Sequence, residues 1–241
     1  MPNAHFDFKQ FRVVQDRCAM KVSTDACIQG AWLARVWQSE PPAAILDIGT
    51  GTGLLSLMLA QALPEATIAA IEINEEAYQQ AVENVQQCPW PDRISLRRQA
   101  LQETDHAVQY DAIICNPPFF HNHLESQDEH RSMARHSHTL SKELLAAQVS
   151  RLLSPGGTAG ILYPASEWES WEKIAALQGL YLQRQLLIKP HARKAPNRVV
   201  GLMGKHTEAQ AQVAELCIYE AGSRDYTPAF IDLLNPYYLH L

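Results

Sequence analysis

Short runs of aliphatic and β-branched residues alternate along this chain with longer stretches of helical period. Ala44-Ile45-Leu46-Asp47-Ile48 is one such run, followed by Thr67 to Ile73, Ile94 to Arg98, Tyr110 to Cys115 and Thr158 to Tyr163. Ala44 to Ile48 and Tyr110 to Cys115 have the apolar character of strands buried in a parallel sheet, Ile94 to Arg98 reads as a short third strand, and the other two runs read as strands as well. The intervening segments read as helices. Leu54 to Leu63 is apolar throughout, and Glu75 to Gln87 carries stripes at Ala77, Ala81 and Val85 and at Tyr78 and Val82. Leu140 to Leu153 aligns Leu140, Leu144, Leu145, Val149, Leu152 and Leu153 on one face, the i, i+4 spacing of a core-facing helix. Ser154-Pro155-Gly156-Gly157 should end that helix, and Ser166-x-x-Glu169 has the form of a capping box for the next. Trp168, Trp171 and Ala175 mark its packing face. Leu180 to Lys189, Val199 to Met203 and Ala214 to Glu220 read as strands. Alternating strands and helices predict an α/β fold: a mostly parallel seven-stranded sheet with an antiparallel C-terminal hairpin and helices on both faces.

Before this core, Met1 to Val22 reads as an extended arm, with Phe6, Phe8, Phe11 and Val13 in a rough period of two. Thr24 or Asp25 can cap a helix through Ile28, Trp32 and Val36, which Pro41-Pro42 ends. A single domain over 1–241 is expected, with residues 1–42 as arm and helix and 43–241 as core.

Three features carry chemistry. Gly49-Thr50-Gly51-Thr52-Gly53 links the Asp47 strand to a helix, so a ligand can approach backbone N–H groups at a helix start. Its G-x-G-x-G spacing differs from the G-x-G-x-x-G dinucleotide fingerprint. Glu72, with Ile73 beside it, ends the second strand, where a carboxylate can accept both hydroxyls of a ribose. Asn116-Pro117-Pro118-Phe119 follows the fourth strand. Two prolines stop the ladder and fix the backbone. Asn116 offers an amide acceptor and Phe119 a flat ring, a set that suits a planar ring bearing an exocyclic amine. Taken alone, the four residues also read as a proline-rich turn; their order after the glycine turn and Glu72 gives them weight.

DIGTGTG, Glu72 and NPPF resemble the Rossmann-like class I S-adenosyl-L-methionine-dependent methyltransferases that act on amino nitrogen. FRVVQDRCAMKVSTDACIQGAW (Phe11 to Trp32) and DEHRSMARH after NPPF are similar to the bacterial tRNA1(Val) (adenine(37)-N6)-methyltransferases, which modify the adenosine just 3′ of the anticodon. The likeness spans nearly the whole chain. It implies S-adenosyl-L-methionine as cofactor and tRNA as partner, with no metal and no obligate protein partner. The segment from Lys21 to Asp25, including Thr24, would lie over the cofactor, and Asp47 would face the amino end of its methionine portion. Relatives place an acid after the third strand to meet the cofactor's adenine amine; here the position offers Gln99.

Composition narrows the alternatives. A 46% hydrophobic chain of 241 residues can bury a sizeable core. No apolar stretch is long enough to span a membrane, no signal peptide opens the chain, and five scattered cysteines fit a reduced, cytoplasmic protein. The ten histidines include His121-x-His123 and His136-x-His138, which lack a matching Cys or acidic partner at ligand spacing and read as loop histidines, with metal binding the lesser alternative. A net charge of -6 does not itself suggest nucleic acid, but distribution matters more than the sum. Gly179 to His206 contains no acid and holds Arg184, Lys189, Arg193, Lys194, Arg198 and Lys205; Lys9, Arg12, Arg17 and Lys21 form a second cluster. Such a run is often only a solvated face. With the resemblance, Lys21, Lys189, Arg193, Lys194 and Arg198 become candidates for substrate phosphates, joined by Arg131, Arg135 and His136 in the long polar segment Phe120 to His138, which reads as a loop closing on substrate or as a tolerated insertion. Other acceptors (ribosomal RNA, DNA adenine, a protein glutamine) share NPPF chemistry. A nicotinamide oxidoreductase would need the other glycine spacing.

Overall fold

The computed structural model describes residues 4–18, 20–118, 140–208 and 210–241. The arm folds back on itself as β1 (His5–Asp7) and β2 (Arg12–Val14), an antiparallel pair. Phe8 and Phe11 stack at 4.6 Å, and Phe8 bridges to Tyr238 near the C-terminus. Helix α1 (Thr24–Trp37) follows. The cap is Ser23 rather than Thr24 or Asp25, its side chain accepting from the Ala26 N–H at 3.2 Å. Both expected caps are occupied elsewhere: Asp25 pairs with Arg198 at 3.0 Å, and Thr24 shares a hydrogen bond with Tyr238.

The core alternates as the apolar pattern requires: β3 (Ala44–Ile48), α2 (Leu54–Ala62), β4 (Thr67–Glu72), α3 (Glu75–Gln86), β5 (Ile94–Arg98), β6 (Tyr110–Cys115), then α4 (Lys142–Leu152) and β7 (Leu153–Pro164). Next come α5 (Ala165–Leu177), β8 (Tyr181–His191), β9 (Arg198–Gly204), β10 (Gln212–Tyr219) and α6 (Pro228–Leu234). The strands form one sheet of eight, not seven, in the order β10-β8-β9-β7-β6-β3-β4-β5. β8 and β9 make the expected antiparallel hairpin, and β9 also lies antiparallel to β7. The additional strand is β10, parallel to β8 on its outer side. It belongs to the sheet because Leu216 and Ile218 are buried there in one cluster with Phe230 of α6.

Period-two alternation divides the core between the two faces. Ile45, Ala112, Ile114, Val200 and Leu202 face α1, α2 and α6, while Leu46, Ile113, Cys115, Val199 and Met203 face α4 and α5. Helix α2 is buried nearly all round, so its lack of a polar stripe follows from its position between α1 and the sheet. Arg93 closes its C-terminal end, its guanidinium donating to the Leu63 carbonyl at 2.9 Å and also to that of Ala60.

Two turns differ from the sequence reading. Ser154-Pro155-Gly156-Gly157 does not precede β7 but bulges within it: Tyr110 pairs with Leu153, and Ala112 pairs next with Thr158. Ser166-x-x-Glu169 is not a capping box. β7 runs on to Pro164, opposite Arg198, and the chain enters α5 directly, the Ala165 N–H donating to the Asn197 carbonyl at 3.1 Å. Glu169 instead pairs with Lys173 one turn along. Trp168 and Trp171 are buried as packing residues, and Gly201 of β9 makes room for the Trp168 ring, which any Cβ there would strike.

Gly201→Ala should therefore destabilise the fold by about 1–3 kcal/mol, read as a lower urea midpoint with unchanged slope. An unaltered midpoint would show that the ring moves aside freely.

Candidate active site

Strand order reverses between β3 and β6, which are adjacent although two strands separate them in sequence. In open α/β sheets the crevice at such a point, beyond the C-terminal strand ends, is where ligands bind. Ile48 lies opposite Cys115. The glycine turn after β3 and Asn116 after β6 therefore leave the sheet at one level, about 4.8 Å apart across the ladder.

The turn is held by backbone bonds. Gly49 and Thr50 N–H groups both donate to the Ile71 carbonyl, at 2.9 and 3.0 Å. Gly49, Gly51 and Gly53 have φ of 68, 59 and 83°, a left-handed conformation that strains residues with a Cβ. Glu72 is fixed from two sides: Gly51 N–H donates to Oε2 at 3.0 Å and Asn74 N–H to Oε1 at 2.9 Å. Each carboxylate oxygen keeps a lone pair for a further donor. Ile73 beside it is 47% exposed, a large apolar side chain left open. Gln99 stands close by, its N–H on the Glu72 carbonyl at 3.1 Å and its side-chain amide on Thr104 at 3.0 Å.

Asp47 is wholly buried. Thr50 and Ser56 hydroxyls donate to Oδ2 at 2.7 and 2.6 Å, while Oδ1 has no partner. Burial pushes its carboxyl up to about 6; the bonds from Ser56 and Thr50 pull the other way, and the charge of Glu72 adds to the rise. Asn116 likewise has a buried Oδ1 with no partner. Pro117 is buried and Pro118 exposed.

Three side chains absent from the sequence reading assemble this site. Gln29 of α1, fully buried, donates to the carbonyls of Cys115 at 2.9 Å and Gly160 at 3.3 Å, clamping β6 just before Asn116. Asn84 of α3 exchanges bonds with Val14, at 2.8 and 2.9 Å, and also donates to the Thr52 carbonyl at 2.8 Å. Gln80 receives the Arg17 N–H at 3.2 Å. The arm is thus tied to the glycine turn, and it passes near Glu72, whose charge, after burial, helps push the Cys18 thiol up to about 11. A signal existed: Gln80 and Asn84 fall four apart beside the apolar positions Ala77, Ala81 and Val85.

Residues 29–155 match the family model described as the methyltransferase small domain. The chain is 44% identical over 239 residues to the tRNA1(Val) (adenine(37)-N6)-methyltransferase of Dyadobacter fermentans, covering 98% of each. The chain belongs to this methyltransferase family. A second tRNA1(Val) (adenine(37)-N6)-methyltransferase, of Tolumonas auensis, is 40% identical over 237 residues, covering 98% of this chain and 97% of its own. A solved structure described as a predicted O-methyltransferase from Agrobacterium tumefaciens superposes with TM-score 0.64 at 19% identity, over 88% of this chain and 96% of that one. That likeness is of the Rossmann-like class I fold alone.

In this methyltransferase Asp47, Gly49, Gly51, Gly53, Glu72, Ile73, Gln99 and Asn116 gather around one crevice. Thr24 and Asp25 are turned to Tyr238 and Arg198. Lys189 is paired with Glu215 at 2.7 Å and Arg198 with Asp25, so neither basic side chain is presented bare. Lys21, Arg193 and Lys194 are exposed. Phe119, Arg131, Arg135 and His136, and the expected closing loop, lie outside the described residues. Among the described residues no group of three or more His, Cys, Asp or Glu could hold a metal ion, and no helix is long and apolar enough to cross a membrane.

Asp47 binds its proton more tightly folded than unfolded. The stability this contributes is complete below the ordinary value of 3.8 and lost as pH rises through about 6. Asp47→Asn should flatten that fall, gaining on the unliganded parent by up to about 3 kcal/mol between those limits. Denaturant midpoints measured against pH for both proteins check this; parallel curves would rule out a raised carboxyl.

Proposed function

We propose that this protein transfers the methyl group of S-adenosyl-L-methionine to N6 of adenosine 37, beside the anticodon of tRNA1(Val). The observation that carries the reading is the buried, unpartnered Asn116 Oδ1 at the end of β6, beside the glycine turn. Its substrate rests on the full-length identity to relatives bearing that activity.

The crevice fits the cofactor on three counts. Glu72 has one free lone pair on each oxygen for the ribose hydroxyls. Ile73 offers an apolar surface to the adenine, with Gln99 near its edge. The orphaned Asp47 Oδ1, buried under the glycine turn, would act on the amino end through water or backbone. Thr24 and Asp25, also expected over the cofactor, are held by Tyr238 and Arg198 in this structure. When bound, S-adenosyl-L-methionine supplies an electrophilic methyl on a sulfonium, so the protein needs to supply position rather than a strong acid or base.

The base must leave its stack to reach the crevice, where Phe119 would hold its face. Asn116 Oδ1 accepts one N6 hydrogen and the Pro117 carbonyl the other. The N6 lone pair is delocalised into the ring; two acceptors favour its movement toward a tetrahedral nitrogen. As positive charge grows on that nitrogen the bonds strengthen, so they favour the transition state over the ground state; the nitrogen then loses one of its protons to solvent, and the sulfonium would leave as a neutral thioether. Gln29 holds the Cys115 carbonyl and thereby the orientation of the peptide that leads into Asn116.

Methyl-labelled cofactor with total tRNA from a strain lacking this gene should place label in N6-methyladenosine of one valine tRNA. Label in ribosomal RNA or protein, with tRNA unlabelled, would overturn the substrate. Asn116→Ala should lower kcat at least about 10²-fold while cofactor affinity by calorimetry stays within a few-fold; substantial turnover would remove Asn116 from its role. Gln29→Leu should lower kcat more than it raises KM for RNA, since it disturbs the acceptor's position and not a contact with substrate. An equal effect on both would argue for a merely structural loss.

A further inference from the structure

His191, Arg193, Lys194, Gly222, Ser223 and Arg224 line an open groove of about 600 Å³ between the β8–β9 turn and the turn after β10. We propose that this groove is an RNA contact, with Arg193, Lys194 and Arg224 binding phosphodiester oxygens and His191 offering its ring to a base. The proposal deepens the tRNA reading above, on which it rests, by saying where the RNA beyond the target adenosine lies.

Three observations converge. First, β8 and β10 run parallel to one another, β9 runs opposite to β8 and β7, and β7 is parallel to β6. The C-terminal ends of β8 and β10 therefore share one edge of the sheet with Asn116. Counting strands from β6 gives three steps to β8 and four to β10, and the register sets Cys115 level with Gln185, six residues before His191; about 14 or 19 Å across and about 20 Å along the strands place the groove roughly 25 Å from Asn116. A chain whose adenosine sits at Asn116 reaches the groove within a few nucleotides.

Second, the three basic side chains, Arg193, Lys194 and Arg224, are exposed and unpaired among the described residues. Glu220 and Asp225 of the adjoining turn are exposed acids that pair with none of the three; their backbones close the turn, the Glu220 N–H donating to the Asp225 carbonyl at 2.9 Å, and the Glu220 carbonyl faces His191 Nδ1 at 3.4 Å. Lys189 and Arg198, by contrast, are withdrawn into ion pairs with Glu215 and Asp25.

Third, His191 heads a series of rings. Its centroid is 5.7 Å from Tyr219, which stacks on Tyr226 at 5.4 Å, and Tyr226 stacks on Phe230 at 4.4 Å. Cations beside half-exposed aromatic rings suit phosphates and bases together, which favours RNA over an acidic protein surface.

The test is binding of a fluorescent anticodon stem-loop RNA across a salt series, for the full chain and for the Arg193→Ala, Lys194→Ala, Arg224→Ala triple variant. The triple variant should keep its melting profile, raise Kd by about 10-fold or more, and lower the slope of log K against log salt by about 2, since each phosphate contributes roughly 0.7 to 0.9. His191→Ala should weaken binding several-fold and His191→Phe restore it. Unchanged Kd and slope in the triple variant would overturn the proposal. So would loss of polyglutamate binding with the RNA slope intact, which would mark the groove as a site for an acidic protein. A wrong tRNA reading shows separately, as absence of label from tRNA with the parent protein, while the slope still reports on the groove.

Discussion

The parallel pairing of β3 with β6, Ile48 opposite Cys115, ends both strands at one level, and the rest of the site takes its position from that register. A slip of one residue would turn Asp47 or Asn116 to the other face. The register is secured from both sides, by Ala112 and Ile114 against α1 and α2 and by Ile113 and Cys115 against α4. Gln29 then reaches through from α1 to the Cys115 carbonyl, so the last peptide before Asn116 is set by a side-chain bond as well as by the ladder. Packing fixes the strands, and polar bonds fix where they stop.

Much of this was legible in order along the chain. Strands buried on both faces announce themselves as continuous apolar runs, as β6 does, and β5, a short edge strand, also occupies the span expected of it. Errors arose where a local pattern met a longer-range demand. Ser166-x-x-Glu169 has a capping form, yet β7 pairs with β9 as far as Pro164 and leaves no unpaired residue to serve as that cap. Ala214 to Glu220 reads as a strand and is one; what fell short was the count of seven, since β10 joins the main sheet beside β8, with Leu216 and Ile218 buried against α6.

The site divides in the same way. Gly49, Gly51, Gly53, Glu72 and Asn116 follow strand ends and carry their chemistry locally, so spacing exposes them. Gln29 and Asn84 act across 86 and 70 residues of sequence; periodicity records only that a polar residue interrupts an apolar face. Charge is the least legible of all. Lys189, Arg193, Lys194 and Arg198 look alike in sequence, and the fold separates them by giving Lys189 and Arg198 carboxylate partners.

Burial without a partner does not by itself mark a functional atom. Trp168 and Trp171 each bury an unpartnered indole N–H, as does Gln61 an amide oxygen. For the tryptophans the ring's apolar burial outweighs one lost bond, which costs about 1–3 kcal/mol. Asp47 Oδ1, Asn116 Oδ1 and Gln29 Oε1 differ in kind and in place. All are acceptors, and all lie around the ends of β3 and β6, where the Gln29 amide is held against Cys115. Asp47 and Gln29 also hold partners of their own, the Thr50 and Ser56 hydroxyls and the Cys115 and Gly160 carbonyls, so an apolar side chain at either position would orphan buried polar groups. Gln29 and Asp47 are wholly inside the fold, whereas Asn116 is partly open at the end of β6 beside the glycine turn, where the amino group of the proposed substrate would arrive as a donor.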